Sequence, residues 1–358
     1  MSSWPDRRIA NLFGIEHPIL LAPMAGPGGA ELAGAVANAG GLGSLPCAQL
    51  SVDQAREAIQ AFRALSTGPL NVNFFCHTPP TPDAQRSLAW RARLAPYYAE
   101  LGLDAEAALP SASRRPFDAE YCALVEATRP EVVSFHFGLP DTALLERVKA
   151  TGARVIASAT TVAEARWLAA RGVDAVIAMG LEAGGHRGNF LSDDMATQIG
   201  TFALVPQIAD AVDVPVIAAG GIADARGIVA AFALGASGVQ IGTAYLFCPE
   251  AKVPAVHRAA LRTAHDDSTA LTNVFTGRPA RGIVNRVMRE MGPIAPVTPP
   301  FPLAGSALAP LRAKTEPSGV ADFVNLWSGQ ASALARERPA AELTQALASE
   351  ALARLQAR

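Results

Sequence analysis

Short apolar runs alternate along this chain with amphipathic helical patterns, and the alternation recurs eight times. The runs fall at residues 19–22, 42–45, 70–74, 132–135, 155–157, 175–178, 216–219 and 239–241. A strand buried on both faces reads as a continuous apolar stretch, and Val216-Ile217-Ala218-Ala219 is one. Such strands alternating with helices form parallel sheets with crossover connections, and eight of them close a TIM (β/α)8 barrel. Helix starts are marked as well. Ser51 with Gln54, and Thr161 with Glu164, have the spacing of capping boxes, while Asp141 and Asp224 stand where N-caps belong.

Two stretches break the rhythm. Residues 79–116 open with prolines and carry Trp90, Tyr97 and Tyr98; the tail beyond 250 is proline-rich, then ends in an Ala/Glu/Arg helical pattern. An insertion after a barrel strand lies on the C-terminal face, over the place where barrel active sites form. The expected division is a barrel of residues 1–78 and 117–250, with 79–116 and 251–358 as a helical lid or C-terminal subdomain.

Composition narrows the function. A chain of 358 residues that is 50% hydrophobic and 17% charged can fill a large core. Its net charge of −2 offers no basic field, which argues against nucleic acid as a partner. Four scattered cysteines without metal-ligand spacing fit a reducing, cytoplasmic setting and no metal site. No apolar signal-type core follows the charged start. Uncharged residues 227–249 are long enough to cross a bilayer, but Gly235, Gly238 and Gly242 break them into helix, turn and buried strand.

Four clusters carry possible chemistry. Gly220-Gly221 follows one of the last two strands, and Gln240-Ile241-Gly242-Thr243 ends the other. Loops at those positions commonly hold phosphate in this fold, through backbone N–H groups that glycine leaves accessible. Gly184-Gly185-His186-Arg187-Gly188 places an imidazole and a guanidinium in a glycine-rich loop after the sixth strand, suited to proton transfer or anion binding. Asn71 and Asn73 alternate with apolar residues, which aims both amides at the barrel interior. His136 ends the fourth strand and reads either as a substrate-facing group or as a satisfied core histidine.

Taken in order, these motifs resemble the nitronate monooxygenase family, once called 2-nitropropane dioxygenases. The matching pieces are Ala22-Pro23-Met24-Ala25-Gly26, Asn71-Val72-Asn73-Phe74, His136-Phe137-Gly138, Glu182-Ala183-Gly184-Gly185-His186-Arg187-Gly188, Gly220-Gly221-Ile222-Ala223-Asp224 and Gln240-Ile241-Gly242-Thr243. Thr276-Gly277-Arg278-Pro279 and Ser328-Gly329-Gln330 in the tail look like its bacterial class I branch.

The resemblance implies FMN and oxidation of alkyl nitronates by molecular oxygen to a carbonyl compound and nitrite. It puts the catalytic role on His186, protonated beside a bound anion or neutral as base toward a nitroalkane. FMN contacts map onto Met24, Asn71, Gly184, Gly221, Gln240, Ile241, Gly242, Thr243 and Gln330, with Gly220 beside them. His136, Arg187 and Tyr245 are the expected substrate-side groups, with Tyr97 and Tyr98 as lid residues. Met179 departs from the branch, where a glutamine is usual. An FMN-dependent enoyl-ACP reductase, an NADH:quinone reductase and a flavin-binding protein without turnover are the rival readings.

Overall fold

The computed structural model describes residues 4–110 and 114–357. Its parallel strands are β1 (Ile19–Leu21), β2 (Gly43–Pro46), β3 (Leu70–Phe75), β4 (Val132–His136), β5 (Arg154–Ala159), β6 (Ala175–Met179), β8 (Val216–Ala219) and β9 (Gly238–Ile241). The short β7 (Gly185–His186) lies outside this sheet and joins β10 (Thr269–Thr272) and β11 (Ala280–Ile283) in a separate antiparallel ribbon.

The large sheet runs β1-β9-β8-β6-β5-β4-β3-β2, all parallel. Leu42 closes it into a barrel: its N–H donates to Ile19 O at 3.0 Å, and its carbonyl accepts from Leu21 N at 3.0 Å. Each expected strand is found, with ends displaced by no more than two residues. The uncharged stretch 227–249 is helix, turn and strand as expected, and no helix among the described residues is long and apolar enough to cross a membrane.

Alternation divides the apolar residues into two sets. Leu20, Val132, Ile156, Ile177 and Ile217 point into the barrel, where Ile9, Phe13 and Ile15 plug its lower end from beneath. Residues of opposite parity, such as Leu21, Val72, Val133 and Val239, pack outward against the helices. The Ser51 capping box forms in full, with Gln54 N donating to Ser51 Oγ and Ser51 N to Gln54 Oε1. The Thr161 box is half formed. Glu164 N reaches Thr161 Oγ1, but its carboxylate turns inward to accept from Thr160, Phe190 and Leu191.

The segment expected to form a lid belongs to a second apolar cluster. Trp90, Leu94, Tyr97 and Tyr98 of the helix Ala84–Glu100 pack against Val274, Val287, Met288, Leu308 and Phe323 from the tail. The tail is divided, however, and the expected 251–358 unit is not one piece. The helix Ala340–Gln356 packs between the helices Ala30–Asn38 and Ala225–Ala233, where it completes the barrel's outer ring. Leu343, Leu347 and Ala351 belong to the main core, as do Val256 and Leu261 of the helix Ala255–Thr263. Apolar spacing revealed a helix at the end of the chain but not which surface it would cover.

Candidate active site

A cavity of about 530 Å3 opens at the C-terminal ends of the barrel strands. Asn73 and Phe75 of β3, Ser134 and His136 of β4, Ser158 of β5 and Met179 of β6 form one side. Met24, Gly220, Gly221, Gln240, Gly242 and Thr243 form the other, and Gly184, Gly185 and His186 lie between. Trp327, Ser328 and Gly329 arrive from the tail.

The glycine side is built for close approach. Gly220 and Gly221 have φ of 110° and 70°, conformations that L side chains rarely adopt. Among the described residues no carbonyl or side chain takes the N–H of Gly221 or Thr243, which leaves two donors at the cavity wall. Gln240 Oε1 is buried there without a partner. Gly184 is required by contact: a Cβ there would stand 2.5 Å from Gly329 N and 2.6 Å from Ser328 C. Gly329 N in turn donates to Thr243 Oγ1 at 2.9 Å, joining the tail to the end of β9.

The loop carrying His186 is fastened from below. Arg187 is fully buried and donates to Gly180 O at 2.6 Å, Met179 O at 2.8 Å and Gln198 Oε1 at 3.0 Å. It does not reach the cavity, so the expected substrate-binding arginine is a fastener. The Glu182 carboxylate accepts from Thr201 N and Oγ1, both at 2.8 Å, pinning the loop to the start of the next helix. β7 pairs with β11, setting His186 opposite Ala280.

An aromatic wall encloses the His186 ring. Phe301, Trp327, Phe137 and Phe75 have centroids 5.3, 5.5, 6.1 and 6.3 Å away. Burial, with Arg114, His136 and Arg278 nearby, holds its pKa well below the usual histidine value. His136 is pushed down to about 3, first by burial and then by Arg278, and His77 to about 4, chiefly by burial. At neutral pH these imidazoles are uncharged. Of the two forms expected of His186 the neutral one is favoured, and the cavity's positive charge sits on Arg114, whose pKa burial lowers to about 10.

Other expected residues are relocated. Asn71 is buried one layer below the cavity, its amide donating to Ser44 Oγ at 3.0 Å; Asn73, two residues on, lines the cavity. Ile241 faces the main core. Tyr245 is buried against Thr344 at 2.8 Å, away from the cavity. Gln330 is exposed and meets the site only through its N–H on Glu182 O. Tyr97 and Tyr98 are buried in the lid core. His136 borders the cavity, yet its nitrogens already meet Ser158 Oγ at 3.0 Å and His186 O at 3.2 Å, joining both sequence alternatives. Arg114 had no distinguishing sequence signal; Arg278 stood in a tail motif without an assigned role.

A parallel barrel with its polar side chains gathered at the C-terminal strand ends, around one enclosed imidazole, defines a barrel enzyme. The chain belongs to the nitronate monooxygenase family, which matches residues 6–350, and is an oxidoreductase. A nitronate monooxygenase of Pseudomonas aeruginosa is 43% identical over 96% of this chain and 98% of its own. Another from Paraburkholderia phytofirmans is 42% identical over 96% and 94%. Among solved structures, nitroalkane oxidase from Streptomyces ansochromogenes superposes with a TM-score of 0.89 at 38% identity, covering 98% of this chain and 99% of that one. FabK from Thermotoga maritima is more distant, with a TM-score of 0.74 at 29% identity over 99% and 98%.

Proposed function

We propose that this enzyme oxidises alkyl nitronates with molecular oxygen, to a carbonyl compound and nitrite, using bound FMN. The observation that carries the reading is one cavity with unpartnered backbone donors on its glycine side and a neutral imidazole on the other. The donors of Gly221 and Thr243 suit a phosphate, and the orphaned Gln240 oxygen suits an N–H of a heteroaromatic ring. Met24, Gly184, Gly220 and Gly242 would complete that wall.

When bound, FMN supplies the electron-accepting ring. The chain's own groups do the rest. His186, uncharged, accepts the α-proton of a neutral nitroalkane, or donates a hydrogen bond to a nitronate already formed. The proton it takes is held beside the anion it leaves, which offsets the repulsion from Arg114. Phe75, Phe301 and Trp327 keep water from that pair, and Arg114 supplies a fixed positive charge facing the anion.

The test is a visible spectrum of the purified protein, followed by nitrite release from ethyl nitronate, nitroethane and a control with NADH. Flavin absorbance and nitrite from the nitronate are expected. Rapid bleaching by NADH without nitrite would overturn the assignment in favour of a reductase. His186→Asn is expected to keep its flavin and lose nitroethane turnover far more than ethyl nitronate turnover.

A further inference from the structure

The turn that covers His186 carries a hydroxyl with no part in the chemistry above. Thr276 Oγ1 lies 2.9 Å from His186 Nε2. The β7–β11 pairing brings it there, and Arg187 N extends that ladder by donating to Pro279 O at 2.9 Å. A threonine hydroxyl has one proton to give, and two acceptors compete for this one. One is Nε2 itself; the other is the carbonyl of Arg278, 3.3 Å away.

Among the described residues no other donor reaches the Arg278 carbonyl. The Arg278 N–H, 3.4 Å from Thr276 Oγ1, needs that oxygen as an acceptor. If the hydroxyl donates to the carbonyl, its oxygen accepts from the amide and from a proton on Nε2, and every group is matched. If it donates to the imidazole, the carbonyl is left without a donor. The other ring nitrogen, Nδ1, has no hydrogen-bond partner among the described residues and is not among the enclosed unpartnered atoms. His186 is among the residues that line the cavity.

We propose that Thr276 is a positioning residue that fixes His186 in the tautomer protonated on Nε2, leaving the Nδ1 lone pair as the base. The proposal rests on the reading of His186 as the proton acceptor. The α-proton then passes from the substrate carbon to Nδ1, the C–H electron pair stays on the nitronate, and the other proton remains on Nε2, hydrogen-bonded to Thr276 Oγ1.

Two experiments on the full chain test it. Two-bond nitrogen–proton NMR correlations of histidine-labelled protein, assigned with His186→Asn, report the tautomer directly. Wild type and Thr276→Ser are expected to show the Nε2-protonated pattern, and Thr276→Val a mixture. In turnover, Thr276→Val should lose roughly tenfold in kcat/KM on nitroethane, as expected for one orienting hydrogen bond, with little change on ethyl nitronate. Thr276→Ser should recover most of the loss.

An Nδ1-protonated ring in the wild type overturns the proposal, as does a Thr276→Val enzyme impaired equally on both substrates or on neither. The base reading is judged separately. A His186→Asn enzyme with an unchanged ratio of nitroethane to nitronate turnover defeats that reading, while the wild-type NMR pattern still decides Thr276.

Discussion

Replacing Arg187 with methionine tests whether this arginine works on the substrate or on the loop. The substitution keeps length and apolar volume but removes every donor. Two buried acceptors, the Met179 carbonyl and Gln198 Oε1, lose their only donor, while the Gly180 carbonyl keeps its bond from Ala183 N. Each buried acceptor left unmatched costs about 1–3 kcal/mol. Relief from burying a guanidinium offsets part of that sum, leaving a net loss of about 2–4 kcal/mol. In a chain of this size the melting temperature should fall by roughly 3–5 °C. Thermal unfolding by calorimetry, with steady-state kinetics on ethyl nitronate below the transition, reads both quantities. Stability should drop while KM stays near its wild-type value, because Arg187 does not line the cavity. An unchanged melting temperature with a KM raised tenfold or more, about 1.4 kcal/mol of lost substrate binding, would refute the loop-fastening role.

Three further outcomes are expected. Gly184→Ala drives a methyl into the Ser328–Gly329 backbone, an overpacking cost of about 1–3 kcal/mol, and should yield protein with less bound flavin by absorbance ratio; wild-type flavin content would contradict it. Arg114→Gln removes a cation that lowers the His186 pKa, so the acid limb of the nitroethane rate should move to higher pH, and an unmoved limb would count against that coupling. His77 and His257 are held at about 4 and His136 at about 3, mainly by burial. The unfolded chain therefore binds protons below about pH 6.5 that the folded chain refuses, so stability is full above that pH and is lost as pH falls toward 4. A melting temperature that stays flat between about pH 7.5 and pH 4.5 would show this reasoning to be wrong.

The barrel was legible because two-sided burial forces apolar composition on each strand, and that signal is local. The glycine turns were legible for the same reason: Gly220 and Gly221 answer a backbone demand that no other residue meets cheaply. Depth along a strand was not. Asn71 and Asn73 share a parity, and only the level at which the barrel's inner packing stops decides which one meets the cavity. Arg187 was misread because a glycine-rich loop suggests exposure, whereas its guanidinium turns back under the loop. Arg114 and the last helix depend on contacts between segments far apart in sequence, which no local pattern encodes.

The final helix has a consequence for synthesis. Residues 340–356 cover the flank between the first and the penultimate ring helices, roughly three hundred positions from the former. During translation that greasy seam stays open until the last of these residues clears the ribosome tunnel, so completion of the barrel's outer ring waits on this late segment. Nascent chains stalled before residue 340 are expected to be caught by chaperones and proteases that recognise exposed apolar surface, and a release of that engagement should coincide with emergence of the closing segment.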